Sequence, residues 1–123
     1  MPYEWRFDGN ILRSSASGVF TTAEALQFLQ EAAAAERARG VTAHRLSDLR
    51  QVTDFAIDYN AMRKIAEQRA ATRTKTAMLT RNDMQYGMVR MYQALLEDTG
   101  VRLKIFSDEA DAMAWLAEET STQ

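Results

Sequence analysis

The chain has 123 residues, 46% hydrophobic and 26% charged, the size and composition of a single globular domain over 1–123 with room for one core. A formal net charge of −2 argues against a nucleic-acid partner, because phosphate contacts need a basic surface, and the lack of cysteine excludes disulfides and thiolate metal sites. There is no apolar run of about 18 residues and no basic start leading into one, so neither a membrane span nor a signal peptide is expected, and the location reads as cytoplasmic.

Tyr3-Glu4-Trp5-Arg6-Phe7 alternates aromatic with charged residues, the pattern of a strand with one buried face. Asp8-Gly9-Asn10 is a turn signal, and a second strand from Ile11 to about Ser17 completes an antiparallel hairpin. Thr21 and Glu24 have capping-box spacing, so a helix follows; its alanines, Ala32 to Ala35, fit close packing on a sheet, and it stops near Gly40. His44 to Leu49 reads as a third strand, Arg50 to about Ile57 as a loop, and Asp58 as the cap of a second helix with Met62, Ile65 and Ala66 inward.

Lys75 to Thr80 is a short interior strand. Asn82 caps the next helix, with Gln85 as the returning partner of a capping box. Met84, Met88, Met91 and Leu95 recur at helical spacing and, widened by Tyr92 and Leu96, predict its buried stripe. Gly87, costly inside a helix, predicts a close approach of backbone to the sheet, and Gly100 predicts a left-handed helix end. Val101, Leu103 and Ile105 alternate with Arg102 and Lys104, so the last strand has only one apolar face. A final helix starts at Ser107 with Asp108 and Glu109 in its first turn, held by Ala112, Trp115 and Leu116, and Thr120 to Gln123 reads as a frayed tail.

The order is ββαβαβαβα. Right-handed crossovers between neighbouring parallel strands place successive helices on the same face. The fold class is therefore α/β: a mixed, mostly parallel five-stranded sheet with helices on one face in two layers, its other face open to water or a partner.

At this point the chain resembles the STAS superfamily, the anti-sigma-factor-antagonist or SpoIIAA-like fold of small bacterial proteins. The residues that carry the resemblance are Asp48-Leu49-Arg50, Tyr86-Gly87-Met88-Val89-Arg90-Met91-Tyr92, and Val101 to Phe106 followed by Glu109 to Leu116. It implies a non-enzymatic regulatory or ligand-sensing domain. In the antagonists an Asp-Ser pair opens the helix after the third strand, and a partner kinase phosphorylates the serine. Here Asp58 matches but Tyr59 takes the serine's place, so the phospho-switch is not expected.

Among candidate site residues, Asp48 and Asp58 fall near the carboxyl ends of strands, where open α/β sheets bind ligands, although capping accounts for both more simply. Arg50 follows Asp48 in the same motif. Tyr86 and Arg90, at i and i+4, either hold an acidic group or stack on each other. His44, the lone histidine, has no partner at metal or catalytic spacing. The basic residues Arg63, Lys64, Arg69, Arg73, Lys75 and Arg81 read as a solvated face in preference to a weak phosphate-binding or acidic-partner patch. No cofactor motif, metal cluster or nucleophile–base pair is visible, and no enzymatic activity is expected. Two readings follow: an interaction module for a protein partner or for itself, and a carrier or sensor with a small apolar ligand between the 82–98 helix and the sheet.

Overall fold

The computed structural model describes residues 3–69, 74–97 and 99–118. Its elements in chain order are β1 (Tyr3–Asp8), β2 (Ile11–Thr21), α1 (Thr22–Arg39), β3 (His44–Ala56), α2 (Tyr59–Gln68), β4 (Lys75–Leu79), α3 (Asp83–Leu95), β5 (Arg102–Phe106) and α4 (Glu109–Ala117). The strands form one sheet in the order β1-β2-β3-β4-β5, with the β1–β2 pair antiparallel and every other pair parallel. This is the element order and mixed sheet expected from the sequence. Asp8 pairs with Ile11 across a two-residue turn, where Gly9 supplies φ +61°.

Side chains alternate between the two faces of a strand, so the core clusters separate the layers. On one face Leu12 meets Ala32 of α1, and Leu49 and Val52 meet Val89 of α3. Ala66 of α2 packs with Leu96 and Val101 on that same side. On the other face Leu46, Ala77 and Leu79 pack against Ala112 and Leu116 of α4. Met78 lies between Ala77 and Leu79 in sequence yet packs with the Val89 cluster, which fixes the two sides.

The one-face arrangement thus describes α1, α2 and α3, and it needs amending for α4, which lies beneath the sheet. The crossover rule constrains only helices that join parallel strands. α4 follows the last strand and is free of that constraint, and its apolar residues pack over the far faces of β3 and β4.

A second difference concerns length. The segment expected to be a loop from Arg50 to about Ile57 continues as strand to Ala56, paired with β2 as far as Thr21. β1 pairs only up to Ala16 and β4 only up to Asp48, so Ser17–Thr21 and Gln51–Ala56 extend past the sheet as a two-stranded ribbon. Register shifts between Ser15 and Ser17 and between Gly18 and Val19 break the period-two pattern by which a strand is read.

The helix starts follow the sequence closely. Thr21 and Glu24 form the capping box, and Asp58, Asn82 and Asp108 each accept the backbone N–H three residues on. Gly40 ends α1 in the left-handed conformation. α3, however, ends at Leu95; Gly100 keeps φ +88° but lies in the turn toward β5. Its inner face also differs from the methionine stripe: Gln85, Val89 and Leu96 are buried, while Met84 and Met91 are each 41% exposed. The predicted frayed tail from Thr120 lies outside the described residues.

Candidate functional site at the carboxyl end of the sheet

All four helices begin where a strand ends, so their first turns gather at the carboxyl edge of the parallel strands. α3 is fastened there by Gln85. Its Oε1 accepts Arg81 N at 2.7 Å, and its Nε2 donates to Val52 O at 2.9 Å and Arg50 O at 3.3 Å. The capping box expected at Asn82 is therefore only half present. Asn82 accepts Gln85 N at 2.9 Å, but the glutamine side chain spans from the chain entering α3 to β3. Met84 and Tyr86, which flank Gln85, are thereby held beside the ribbon, with their side chains exposed.

The exposed large apolar residues concentrate at this end. Among the described residues there are six: Val19, Val41, Tyr59, Met84, Tyr86 and Met91. Val19 lies in the ribbon opposite Asp54, Tyr59 opens α2, and Met84 and Tyr86 belong to the first turn of α3. Four of the six thus share one rim, whereas scattered single residues would carry no message.

The sequence-derived candidates divide into three places. Asp48 and Arg50 come together on the α4 side. Arg50 Nε donates to Asp48 Oδ1 at 3.0 Å and Nη2 to Oδ2 at 2.9 Å, while Arg50 N donates to Oδ1 at 3.0 Å. Burial works against the Asp48 carboxylate, but these hydrogen bonds outweigh it and hold the group below its ordinary value. Glu109, at the start of α4, lies 3.6 Å from Arg50 and bonds Arg13 of β2. The bond to Glu109 is the leading reason that the Arg13 pKa is raised. Together these four charges brace α4 against the sheet.

Asp58 is elsewhere, capping α2 through Ala61 N at 2.7 Å. Tyr86 and Arg90 are both exposed on α3. The guanidinium stacking considered for that pair is absent from the aromatic–cation contacts found among the described residues; these join Arg39 to Phe7, Lys75 to Trp115, and Lys104 to Phe106 and Trp115.

Behind the rim lies an apolar cavity of about 120 Å³. Met88, Val89 and Tyr92 of α3, Met62 and Ile65 of α2, and Met78 of the sheet are among its walls. Phe20 and Phe55 of the ribbon line it as well. Tyr92 is pushed above its ordinary pKa by burial, so it stands as a neutral phenol in this wall.

Of the basic residues read as a solvated face, two are buried. Lys75 is 2% exposed, and its Nζ donates to Trp115 O at 2.7 Å and Glu118 O at 2.8 Å, satisfying carbonyls at the end of α4. Arg69 is buried as well and donates to Thr74 Oγ1 at 3.0 Å. Arg63, Lys64 and Arg81 are exposed as expected, and Arg73 lies outside the described residues. His44 accepts Lys75 N on Nδ1 at 2.8 Å, a structural hydrogen bond. Among the described residues no helix is long and apolar enough to cross a membrane.

No family model and no curated protein matches the chain. Two solved structures are similar to it along almost its whole length. One is an uncharacterised DUF3478-family protein with a SpoIIAA-like fold from Shewanella loihica PV-4, with TM-score 0.65 and 18% identity, covering 93% of this chain and 91% of that one. The other is the anti-sigma factor antagonist SpoIIAA in its unphosphorylated form, with TM-score 0.60 and 10% identity, covering 93% of this chain and 96% of that one. At these identities the likeness shows the fold, and the fold is SpoIIAA-like.

Proposed function

We propose that this SpoIIAA-like chain is a non-enzymatic interaction module whose carboxyl rim docks a protein partner. The observation that carries the reading is that Val19, Tyr59, Met84 and Tyr86 are exposed in the β2–β3 ribbon and in the first turns of α2 and α3, elements that lie at the carboxyl end of the sheet. Aromatic and methionine side chains are enriched at protein interfaces. Asp58 and Arg90 lend polar contacts to the rim, and the Asp48–Arg50 pair stiffens its base. The similar antagonist is by its name a protein that acts on another protein, which agrees with this reading. Tyr59 stands in the position of a phosphorylatable serine, so we assign no serine switch to this chain.

The test is a pull-down from the native host with the wild type and the double variant Tyr59→Ala/Tyr86→Ala, alongside sedimentation equilibrium. Both positions are exposed, so circular dichroism should be unchanged. A defined partner that the wild type retains and the double variant loses supports the rim. An identical captured set from both proteins sinks it, and self-association abolished by the double variant would identify the partner as a second copy.

The cavity supports a second reading, a carrier or sensor of a small apolar molecule. Its size favours the first reading. A dry cavity of about 150 Å³ admits benzene or xenon, so about 120 Å³ suits a fragment of at most one ring and not a lipid chain. Native mass spectrometry of protein purified from its host checks this: a co-purified apolar ligand would bring the carrier reading forward.

A further inference from the structure

We propose that the apolar cavity between the sheet and α1, α2 and α3 binds a neutral one-ring aromatic molecule carrying a hydroxyl group, anchored by the hydroxyls of Ser14 and Ser47. This rests on the carrier reading of the cavity and owes nothing to docking at the rim.

The register of the sheet shows how the space arises. Trp5, Ser14, Ser47, Met78 and Ile105 are partners in succession across β1 to β5, so they form one row on a single face. Trp5, Met78 and Ile105 pack with the Val89 cluster, which sets the row on the side of α1 and α3. Inner parallel strands covered on both faces carry near-continuous apolar residues. Here the inner strands β2 and β3 present serine between Trp5 and Met78, so the row dips in its middle. The cavity of about 120 Å³ has Ser14, Ser47 and Met78 among its sheet residues.

Two hydroxyls bring two O–H donors, and a single bond joins them, Ser14 Oγ to Ser47 Oγ at 3.3 Å. Neither hydroxyl makes another hydrogen bond among the described residues, so one O–H lacks an acceptor. Ser47 is only 8% exposed, and a buried donor in that state is unfavourable. A ligand hydroxyl meets the need: its oxygen accepts the spare O–H, and its hydrogen goes to the second serine oxygen.

The helices select the rest of the molecule. Phe28 of α1, Met62 of α2 and Met88 of α3 line the space. Thioether–ring contacts and edge-to-face ring pairs suit a flat aromatic body. No lysine or arginine is among the described lining residues, and the one charged residue there, Asp48, is an ionised carboxylate bonded to Arg50. An anionic ring such as benzoate would therefore be desolvated without compensation.

Titration of the full chain with phenol, and with toluene as the analogue lacking the oxygen, tests the site, followed by methyl spectra of carbon-13-labelled methionine. Phenol should bind saturably and shift the Met62, Met78 and Met88 methyl signals. The double variant Ser14→Ala/Ser47→Ala should weaken phenol at least about fivefold and leave toluene bound as well as before or better. Ser47→Val, which fills the dip, should remove phenol binding. Circular dichroism serves as the folding control, with Ser14→Ala alone in reserve should the double variant not fold. Phenol held equally by the alanine variant, retained by Ser47→Val, or matched in affinity by benzoate would each overturn the proposal. In those cases continued toluene binding would leave the carrier reading standing. No binding of either phenol or toluene would overturn both.

Discussion

His44 shows how much a single proton can weigh in this fold. Burial first, then the nearby charges of Lys75 and Arg102, lower its pKa below the ordinary 6.5. The folded state therefore disfavours the proton that the unfolded chain accepts, and protonation at Nδ1 would cost the bond from Lys75 N. Stability attributable to His44 is complete above pH about 6.5 and declines as pH falls through that value toward the lower folded pKa. Urea midpoints measured downward from neutrality should drop for the wild type, and the drop should be shallower in His44→Gln. Equal slopes for the two proteins would show that another group controls this range. Nothing in the sequence around His44 marks this role, since its partner is a backbone N–H 31 positions away. The same holds for Gln85: a capping residue could be read from spacing, but a buried amide joining α3 to two carbonyls of β3 could not. The pairing of Asp48 with Arg50 was nearer to hand, because residues two apart in a strand share a face.

Among the elements, α3 departs most from its pattern. Spacings of three and four leave a helix face undetermined by about one residue, so the methionine pattern alone admits Met84 and Met91 to the inner face. The sheet instead receives Gln85 and Val89, because bonding the Arg50 and Val52 carbonyls sets the rotation of the helix. Gly87 then falls on the outer side, and a Cβ there would have nothing within 4 Å. The close approach expected at this glycine is absent. Gly87→Ala should therefore stabilise the protein by about 1 kcal/mol, the difference in helix propensity, and raise the urea midpoint with no change in the slope of the transition. A destabilised variant would mean that the helix surface is covered in solution. The β2–β3 ribbon was missed for a related reason: two register shifts change which face each residue occupies, and Thr53-Asp54 has no apolar signal to reveal it.

For the molecule as a whole, the decisive feature is that the sheet is covered on both sides, by three helices above and by α4 below. The two core layers should unfold together if α4 is integral to the domain. Leu116 is buried between α4 and β4, and Leu116→Ala should cost about 2–5 kcal/mol, read from the urea midpoint. A loss near zero would show α4 to be an appendage. The surface left open is the carboxyl rim, together with the stretch of β1 and β2 beyond the reach of α4.

Local chemistry decided a great deal without any coordinates: the described strands and helices, the starting caps of the first three helices, the antiparallel opening pair and the parallel remainder. These depend on periodicity, capping side chains and turn residues, all of them short-range in sequence. The tertiary structure alone decided which side α4 covers, how α3 is rotated, how far β3 runs, and that Arg45, Arg69 and Lys75 are buried charges. Each of those is set by contacts between residues far apart in the chain, where the energy of satisfying a buried polar group or covering an apolar face outweighs local preference.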